Sequence, residues 1–388
     1  MRYYFVAGEV SGDLHASNLI KELKRVDADA KFRGFGGDKM TEQGAEITKH
    51  YREMSFMGFV EVLMNIRTIF SQFDFCKKDI LEWKPDVMIL VDYPGFNLRV
   101  ARWGKENGFK VFYYISPKVW AWKASRVKTI KKNVDHMFCI LPFEKEFYQR
   151  YNYEVDFVGH PLLDEIKGKR DLGPGTREEE KIIALLPGSR KQEIKSILPE
   201  MLKMQKHFPD FSFVIAGVEH LGENFYKEIS APQILTRLSP PAGGGPGVRL
   251  LFNRTYELLQ QSSFALVTSG TATLETALFN IPQIVCYKGN MISVAIARRI
   301  VNIKYISLVN LIMDKPVVNE LIQHNLNEEN LLAELNRLIK NSQQREQMLN
   351  DYREMKMKLG GEGASKRAAE LMVKYLLGTN NESKQISE

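Results

Sequence analysis

Short apolar runs recur along the chain, separated by stretches in which apolar residues return every three or four positions. In the first half the runs are Tyr3–Ala7, Lys31–Gly34, Val87–Val91, Val111–Ile115, Met137–Leu141 and Asp156–Val158. They are rich in Val, Ile and aromatic residues, which suits strands buried on both faces of a sheet. Between them, Leu14–Val26 and Val100–Asn107 carry helical spacing. This alternation predicts a parallel sheet wrapped by helices.

The segment Asp164–Glu180 breaks the pattern, with many charges, three glycines and a proline. Its middle reads as an inter-domain linker. Strands then resume at Ile182–Leu186, Ser212–Ala216, Arg249–Phe252, Ala265–Thr268, Gln283–Tyr287 and Tyr305–Leu308. Helices are expected at Glu193–His207, Tyr256–Gln261 and Ala272–Phe279, and a flexible loop at Gly243–Gly247. From Glu328 onward the pattern is helical. Ser365–Leu377 places Ala368, Ala369, Met372, Tyr375 and Leu376 on one face, which predicts a docked helix, and Gly378–Glu388 reads as a frayed tail. The expected layout is therefore two α/β halves in tandem. Ligands of such sheets bind at the carboxyl ends of the strands, and the cleft between the halves is the default active site.

Composition narrows the class. The chain has 388 residues, 44% hydrophobic and 26% charged, which fits two globular domains. No apolar run reaches the length of a membrane span. The opening MRYYFVAGE reads as a first buried strand rather than a signal peptide. Cys76, Cys139 and Cys286 are far apart and show no metal-ligand spacing, which points to a reducing compartment. The net charge of +7 is uneven: Lys118–Lys132 holds six basic residues and no acidic one. That patch is either a solvated helix face or a seat for an anionic partner such as lipid headgroups. No nucleic-acid motif is present, so nucleic acid is not an expected partner.

Candidate chemistry lies at the strand ends. The first strand runs into Gly8-Glu9-Val10-Ser11-Gly12-Asp13-Leu14-His15, a turn whose N–H groups can receive an anion or a sugar hydroxyl. Gly8, Glu9, Ser11, Gly12 and Asp13 are therefore acceptor-side candidates, although a plain tight turn explains them as well. Asp92, in Val91-Asp92-Tyr93-Pro94-Gly95-Phe96-Asn97, ends a buried strand where a carboxylate is costly unless used. It is the candidate general base, with a turn-capping Asp as the alternative. Trp120 and Trp122, set among lysines, suit sugar stacking, a membrane interface or packing between domains. His160, in Val158-Gly159-His160-Pro161, is expected to border the cleft.

In the second half, Ser189 and Arg190 follow Pro187-Gly188 and precede a helix, where a guanidinium fork matches diphosphate oxygens. Ser269-Gly270-Thr271 opens another helix, with Ser269 and Thr271 as cap residues and its N–H groups as a diphosphate cradle. Glu275, in the first turns, is placed to accept ribose hydroxyls; a capped ordinary helix is the alternative. Phe56–Phe73 carries more apolar surface than one core-facing stripe needs, so it is a membrane-dipping helix or one buried on two sides. No histidine pair has ligand spacing, and no metal is expected.

Taken in order, GEVSGD, MGFVEVL, VDYPGFN, YISPKVWAWK, LPFEKEFY, VGHPLLD, LLPGSR and SGTATLE resemble the lipid-A-disaccharide synthases. The resemblance runs from about Tyr3 to about Leu377, apart from the loop around Gly244. It implies an α/β glycosyltransferase B fold: two Rossmann-like, doubly wound domains facing a cleft, with the last helix crossing back to the N-terminal domain. The implied division is 1–168, an acceptor-binding and membrane-facing domain; 169–360, a UDP-sugar-binding domain; and 361–388, the returning helix and tail. The implied reaction transfers 2,3-diacylglucosamine from UDP-2,3-diacylglucosamine to 2,3-diacylglucosamine 1-phosphate. It inverts the anomeric centre, yields the β-1,6 disaccharide 1-phosphate and UDP, and uses neither metal nor cofactor.

Asp92 falls on the proposed base, and Arg190, Ser269, Gly270, Thr271 and Glu275 fall on UDP-binding positions. Asn310 falls on a nucleotide-side position. Two departures stand out: Gly95 replaces a second acid, and Val309 replaces the proline before Asn310. The implied place of work is the cytoplasmic face of the inner membrane, reached through Phe56–Phe73 and Lys118–Lys132; a homodimer is compatible. The rivals are a UDP-sugar 2-epimerase or hydrolase on the same fold, and a non-catalytic nucleotide- or lipid-binding module.

Overall fold

The computed structural model describes residues 1–54, 66–122, 124–167, 181–230, 247–289 and 304–385. The chain divides into two compact units, Met1–Glu165 with Leu359–Glu388, and Ile166–Lys358.

Among the described residues the first unit holds a seven-stranded parallel sheet in the order β3-β2-β1-β4-β5-β6-β7. Its strands are β1 (Arg2–Ala7), β2 (Lys31–Gly36), β3 (Glu46–His50), β4 (Val87–Val91), β5 (Val111–Tyr114), β6 (His136–Cys139) and β7 (Asp156–Phe157). Every residue of β4 and β5 is buried, as their unbroken apolar runs require. The helix Ile66–Trp83 is tied to the sheet through buried Asp79, which accepts the Tyr4 hydroxyl at 2.7 Å and Arg33 Nη2 at 2.6 Å.

The second unit holds a six-stranded parallel sheet in the order β10-β9-β8-β11-β12-β13 among the described residues. These are β8 (Ile182–Leu186), β9 (Ser212–Gly217), β10 (Val248–Phe252), β11 (Phe264–Thr268), β12 (Gln283–Tyr287) and β13 (Asn319–Ile322). In each sheet the strand order reverses beside the first strand. The reversals fall between β1 and β4, and between β8 and β11. A crevice opens at such a switch point, beyond the carboxyl ends of the strands.

The last helix, Ala364–Gln385, packs on Val10–Val26 of the first unit. Asp164 receives the N–H groups of Gly363 and Ser365 and so closes the start of this helix. Arg367 donates through Nε to the Val158 carbonyl at 2.8 Å, and Tyr375 stacks on His136 with ring centroids 3.7 Å apart.

Several expectations need correction. Tyr305–Leu308 is not a strand: Ser307 accepts the Asn310 N–H and caps a helix, Leu308–Met313. The strand expected there is β13, and β3 was not anticipated. The chain beyond Gly378 continues as helix to Gln385 rather than fraying. Residues 168–180 of the expected linker, 243–246 of the glycine loop and 56–65 of the apolar helix lie outside the described residues.

Candidate functional site

The first switch point is built by β1, β4 and β5. Where β4 ends, Asp92 and Tyr93 both adopt left-handed backbone, with φ of 44° and 48°. Such a conformation costs a non-glycine residue roughly 1–2 kcal/mol and persists only where neighbours fix it. Here Asn97, fully buried, donates through Nδ2 to the carbonyls of Val6, Val91 and Asp92 at 3.1, 3.2 and 2.8 Å. The Tyr113 hydroxyl donates to the Asp92 carbonyl at 2.6 Å. Gly8 is required because a Cβ there would overlap the Tyr93 ring. Tyr93, not Asp92, occupies the N-cap of the helix Pro94–Glu106, and no side chain caps it. The Asp92 carboxylate is therefore not the cap of this helix, and the backbone N–H of Tyr93 beside it favours its ionised form.

Burial pushes the Asp92 carboxyl up to about 6, with Lys118 pulling it down and Glu9 pushing it up. Glu9 and Lys118 follow the two strands that flank β4, so two acids and an amine share this end of the sheet. Glu9 is exposed and is the N-cap of Val10–Val26, but its side chain makes no capping bond. Ser11 is exposed beside it, and Gly12 is buried, where a Cβ would meet Ala7 Cβ at 3.4 Å.

Asp13 and His160 are placed differently from expectation. Asp13 is buried and accepts the N–H groups of Gly37, Lys39 and Met40 at 2.8, 3.1 and 3.2 Å. It closes the N-terminus of the short helix Asp38–Glu42 and is not open to a substrate. His160 is also buried. Its Nδ1 accepts the Leu162 N–H at 3.2 Å, and burial, followed by His15 and Lys118, holds the imidazole down at about 3. It is a buried, neutral group bonded to backbone. Trp120 is half-buried and donates to Glu144 at 3.2 Å. The Trp122 side chain and Lys123 lie outside the described residues.

The second switch point is built by β8 and β11, which pair from Phe264↔Ile183 to Val267↔Leu186. Their end turns touch: a Cβ on Gly188 would lie 3.3 Å from Thr268 Cγ2 and 2.8 Å from Glu193 Oε2. Ser189 and Arg190 are exposed; Arg190 stands at the N-cap of Lys191–Leu202 without a capping bond, and its guanidinium is 3.1 Å from Glu193. Beside them the helix Thr271–Leu278 begins at Gly270, whose φ of 148° excludes side chains. Nothing lies within 4 Å of the place a Cβ would take there. The opening N–H groups of that helix lack intrahelical acceptors and carry the positive end of its dipole.

The expected caps at Ser269 and Thr271 are not made. The Ser269 hydroxyl donates instead to the Ile306 carbonyl at 2.8 Å, and Thr271 is exposed. Glu275 is half-buried and accepts the Tyr256 hydroxyl at 3.3 Å. Asn310 is buried, with both Nδ2 donors spent on the Val318 carbonyl and Glu320 at 2.8 and 2.9 Å. It shapes the loop beside Ser269 rather than offering donors to a ligand. Glu320, which also accepts the N–H groups of Ile306 and Ser307, was not anticipated, and neither were Asn97 and Tyr113. For Asn97 a signal existed, since a buried asparagine inside a helix needs partners. Among the described residues, no group of three His, Cys, Asp or Glu is arranged to hold a metal ion, and no helix is long and apolar enough to cross a membrane.

Comparison with known proteins agrees on the fold and gives the family. The structure is similar to the UDP-GlcNAc 2-epimerase from Neisseria meningitidis bound to UDP-GlcNAc, with a TM-score of 0.65 at 16% identity, covering 96% of this chain and 100% of that one. It is similar to the glycotransferase of kitacinnamycin, with a TM-score of 0.64 at 14% identity, covering 96% and 98%. These show the glycosyltransferase B fold. In sequence, the lipid-A-disaccharide synthase of Syntrophus aciditrophicus is 39% identical over 373 residues, 94% of this chain and 95% of that one. That of Geobacter sulfurreducens is 35% identical over 388 residues, 97% of each. The family model for lipid-A-disaccharide synthetase matches residues 3–375, and the chain belongs to that family.

Proposed function

We propose that this chain transfers 2,3-diacylglucosamine from UDP to O6 of 2,3-diacylglucosamine 1-phosphate, with inversion, releasing the β-1,6 disaccharide 1-phosphate and UDP. What supports the reading is that the two sheets of a chain in this family each have a switch point, with candidate groups of complementary chemistry at their strand ends. One offers a carboxylate and the other offers positive potential.

In this reading Asp92 takes the proton of the acceptor 6-hydroxyl. That oxygen attacks C1 of the donor sugar, and the bond from C1 to the diphosphate breaks with its electrons leaving on UDP. A base works best when its pKa lies near the operating pH, and burial moves Asp92 toward that range. Charge grows on the departing diphosphate, and Arg190 with the first N–H groups of Thr271–Leu278 is suited to meet it. Protein groups supply this potential, so the reading assigns no role to a metal or cofactor. Glu275 is assigned to the ribose, and Glu9 and Trp120 to the acceptor sugar.

Both substrates carry acyl chains, so the reading places the enzyme on the cytoplasmic face of the inner membrane. On Ile66–Trp83, Phe70 and Phe75 are exposed, and Lys77 and Arg99 lie over the rings of Phe73 and Phe70. Lys118, Lys128, Lys131 and Lys132 are exposed nearby in sequence on the basic stretch. Rings and cations of this kind suit an anionic membrane surface.

The test is a mass-resolved assay with UDP-2,3-diacylglucosamine and 2,3-diacylglucosamine 1-phosphate. Formation of the disaccharide phosphate and UDP is expected. Epimerisation of UDP-GlcNAc with no disaccharide would overturn the reading.

A further inference from the structure

The turn after β5 is strained, and its first N–H, from Ile115, donates to the Phe138 carbonyl of β6 at 3.0 Å. Ile115 takes a φ of 68°, an unfavourable backbone for a β-branched residue that requires its surroundings to fix it. The side chains that fix the rest of the turn sit on the helix Pro142–Gln149. The Tyr148 hydroxyl and Ser116 Oγ are 2.7 Å apart, both buried. Four residues earlier on the same face, Glu144 Oε1 accepts the Trp120 indole N–H at 3.2 Å. Its Oε2 accepts the N–H groups of Ile140 and Leu141 at 3.3 and 3.0 Å. Capping its own helix explains one oxygen of Glu144 and not the other. The Phe143 ring meets Trp120 edge-on, with centroids 4.9 Å apart. The helix therefore grips the turn at both ends, and the piece between them carries Lys118.

We propose that Glu144 and Tyr148 are positioning residues, holding the Ile115–Trp120 turn so that Lys118 and Trp120 lie against the acceptor sugar at Asp92. This rests on the reading of Asp92 as the base. The charged and titratable groups facing Asp92 are Lys118 from the turn and Glu9 from the end of β1, with the Tyr93 and Tyr113 phenols beside them. Lys118 and the Tyr93 backbone N–H favour the ionised carboxylate, and only the first depends on the turn, so freeing the turn removes part of that support.

The experiment compares Glu144→Gln with Tyr148→Phe. The amide keeps one acceptor oxygen and loses either Trp120 or the cap; the phenylalanine loses only the hydroxyl. In both, kcat/KM for the acceptor falls roughly tenfold to hundredfold through a raised KM, while UDP affinity by calorimetry is unchanged. The acid limb of kcat/KM moves to higher pH, by about one unit where Lys118 is displaced. Lys118→Gln alone gives the same displacement, and adding Glu144→Gln to it shifts the limb no further. Unchanged acceptor KM and acid limb in both single variants overturn the proposal, as does a parallel loss of UDP affinity. Should Glu144→Gln fail to fold, Tyr148→Phe decides alone. Failure of the underlying reading looks different: Asp92→Ala would then turn over normally, and the proposed role would fall with it.

Discussion

At the first switch point, where β4 ends, the chain takes left-handed backbone without glycine. Asp92 and Tyr93 are forced into left-handed backbone and held there by Asn97 and Tyr113. At the second, Gly188 and Gly270 make the turns, with φ of 104° and 148°, and the ground before Gly270 is open. The strand order around the two points is the same, so topology does not set their chemistry. What differs is which groups the turn presents. The strained turn aims one side chain from a half-enclosed place, where a carboxylate becomes a better base. The glycine turns withdraw side chains and expose backbone N–H groups, which suits a diphosphate. A proton acceptor needs a tuned environment, whereas an anion seat needs access.

The sharpest way to break this contrast is at Asp92. Asp92→Ala is expected to lower kcat by about 10²–10⁴-fold, the range for losing a general base. UDP affinity is expected to stay as it was, because the second unit is untouched. Initial rates with both acyl substrates, paired with UDP titration calorimetry, check this. Turnover within a few-fold of normal removes Asp92 as the base.

A smaller effect is expected on the open side. Arg190 is 72% exposed and already 3.1 Å from Glu193, so part of its attraction for phosphate is screened. Arg190→Ala should weaken UDP binding about tenfold, consistent with losing one charge-assisted contact of about 1.5 kcal/mol. The loss should shrink as salt rises. Unchanged affinity for UDP at low salt would transfer the anion seat to the helix end alone.

How far these sites were legible in the sequence follows from the same contrast. The central strands stand out because burial on both faces demands unbroken apolar runs, as in Val-Met-Ile-Leu-Val of β4. The edge strands β3 and β13 are half-exposed and read Glu-Ile-Thr-Lys-His and Asn-Glu-Leu-Ile, so no run marks them. Tyr305–Leu308 misled because its apolar residues outweighed Ser307, the cap that starts a helix there. Strand ends could be picked out one by one. That Glu9, Asp92 and Lys118 share one end of the sheet could not, because it depends on β1, β4 and β5 being neighbours while lying far apart in sequence. Asp13 and His160 misled for the opposite reason. A polar residue in a glycine turn looks available until its backbone partners are seen.

The smallest expected effect separates the two points by stability rather than rate. The Asp92 carboxyl rises from an ordinary 3.8 to about 6 in the folded chain, chiefly through burial. The folded chain therefore binds this proton more tightly than the unfolded chain does. Stability from this group is fully present below about pH 4 and is lost as pH rises through about 6. Above that, an ionised carboxylate sits where burial disfavours it. Asp92→Asn removes the charge and keeps the shape, so its Tm should exceed that of the unaltered chain at pH 7.5. The two should converge as pH falls toward 4. Arg190→Ala should leave Tm almost unchanged at either pH, since an exposed ion pair contributes little. Differential scanning calorimetry across that range decides the matter. A lower Tm for Asp92→Asn at pH 7.5 would mean the carboxylate stabilises the turn, and that the first switch point is built for structure rather than for proton transfer.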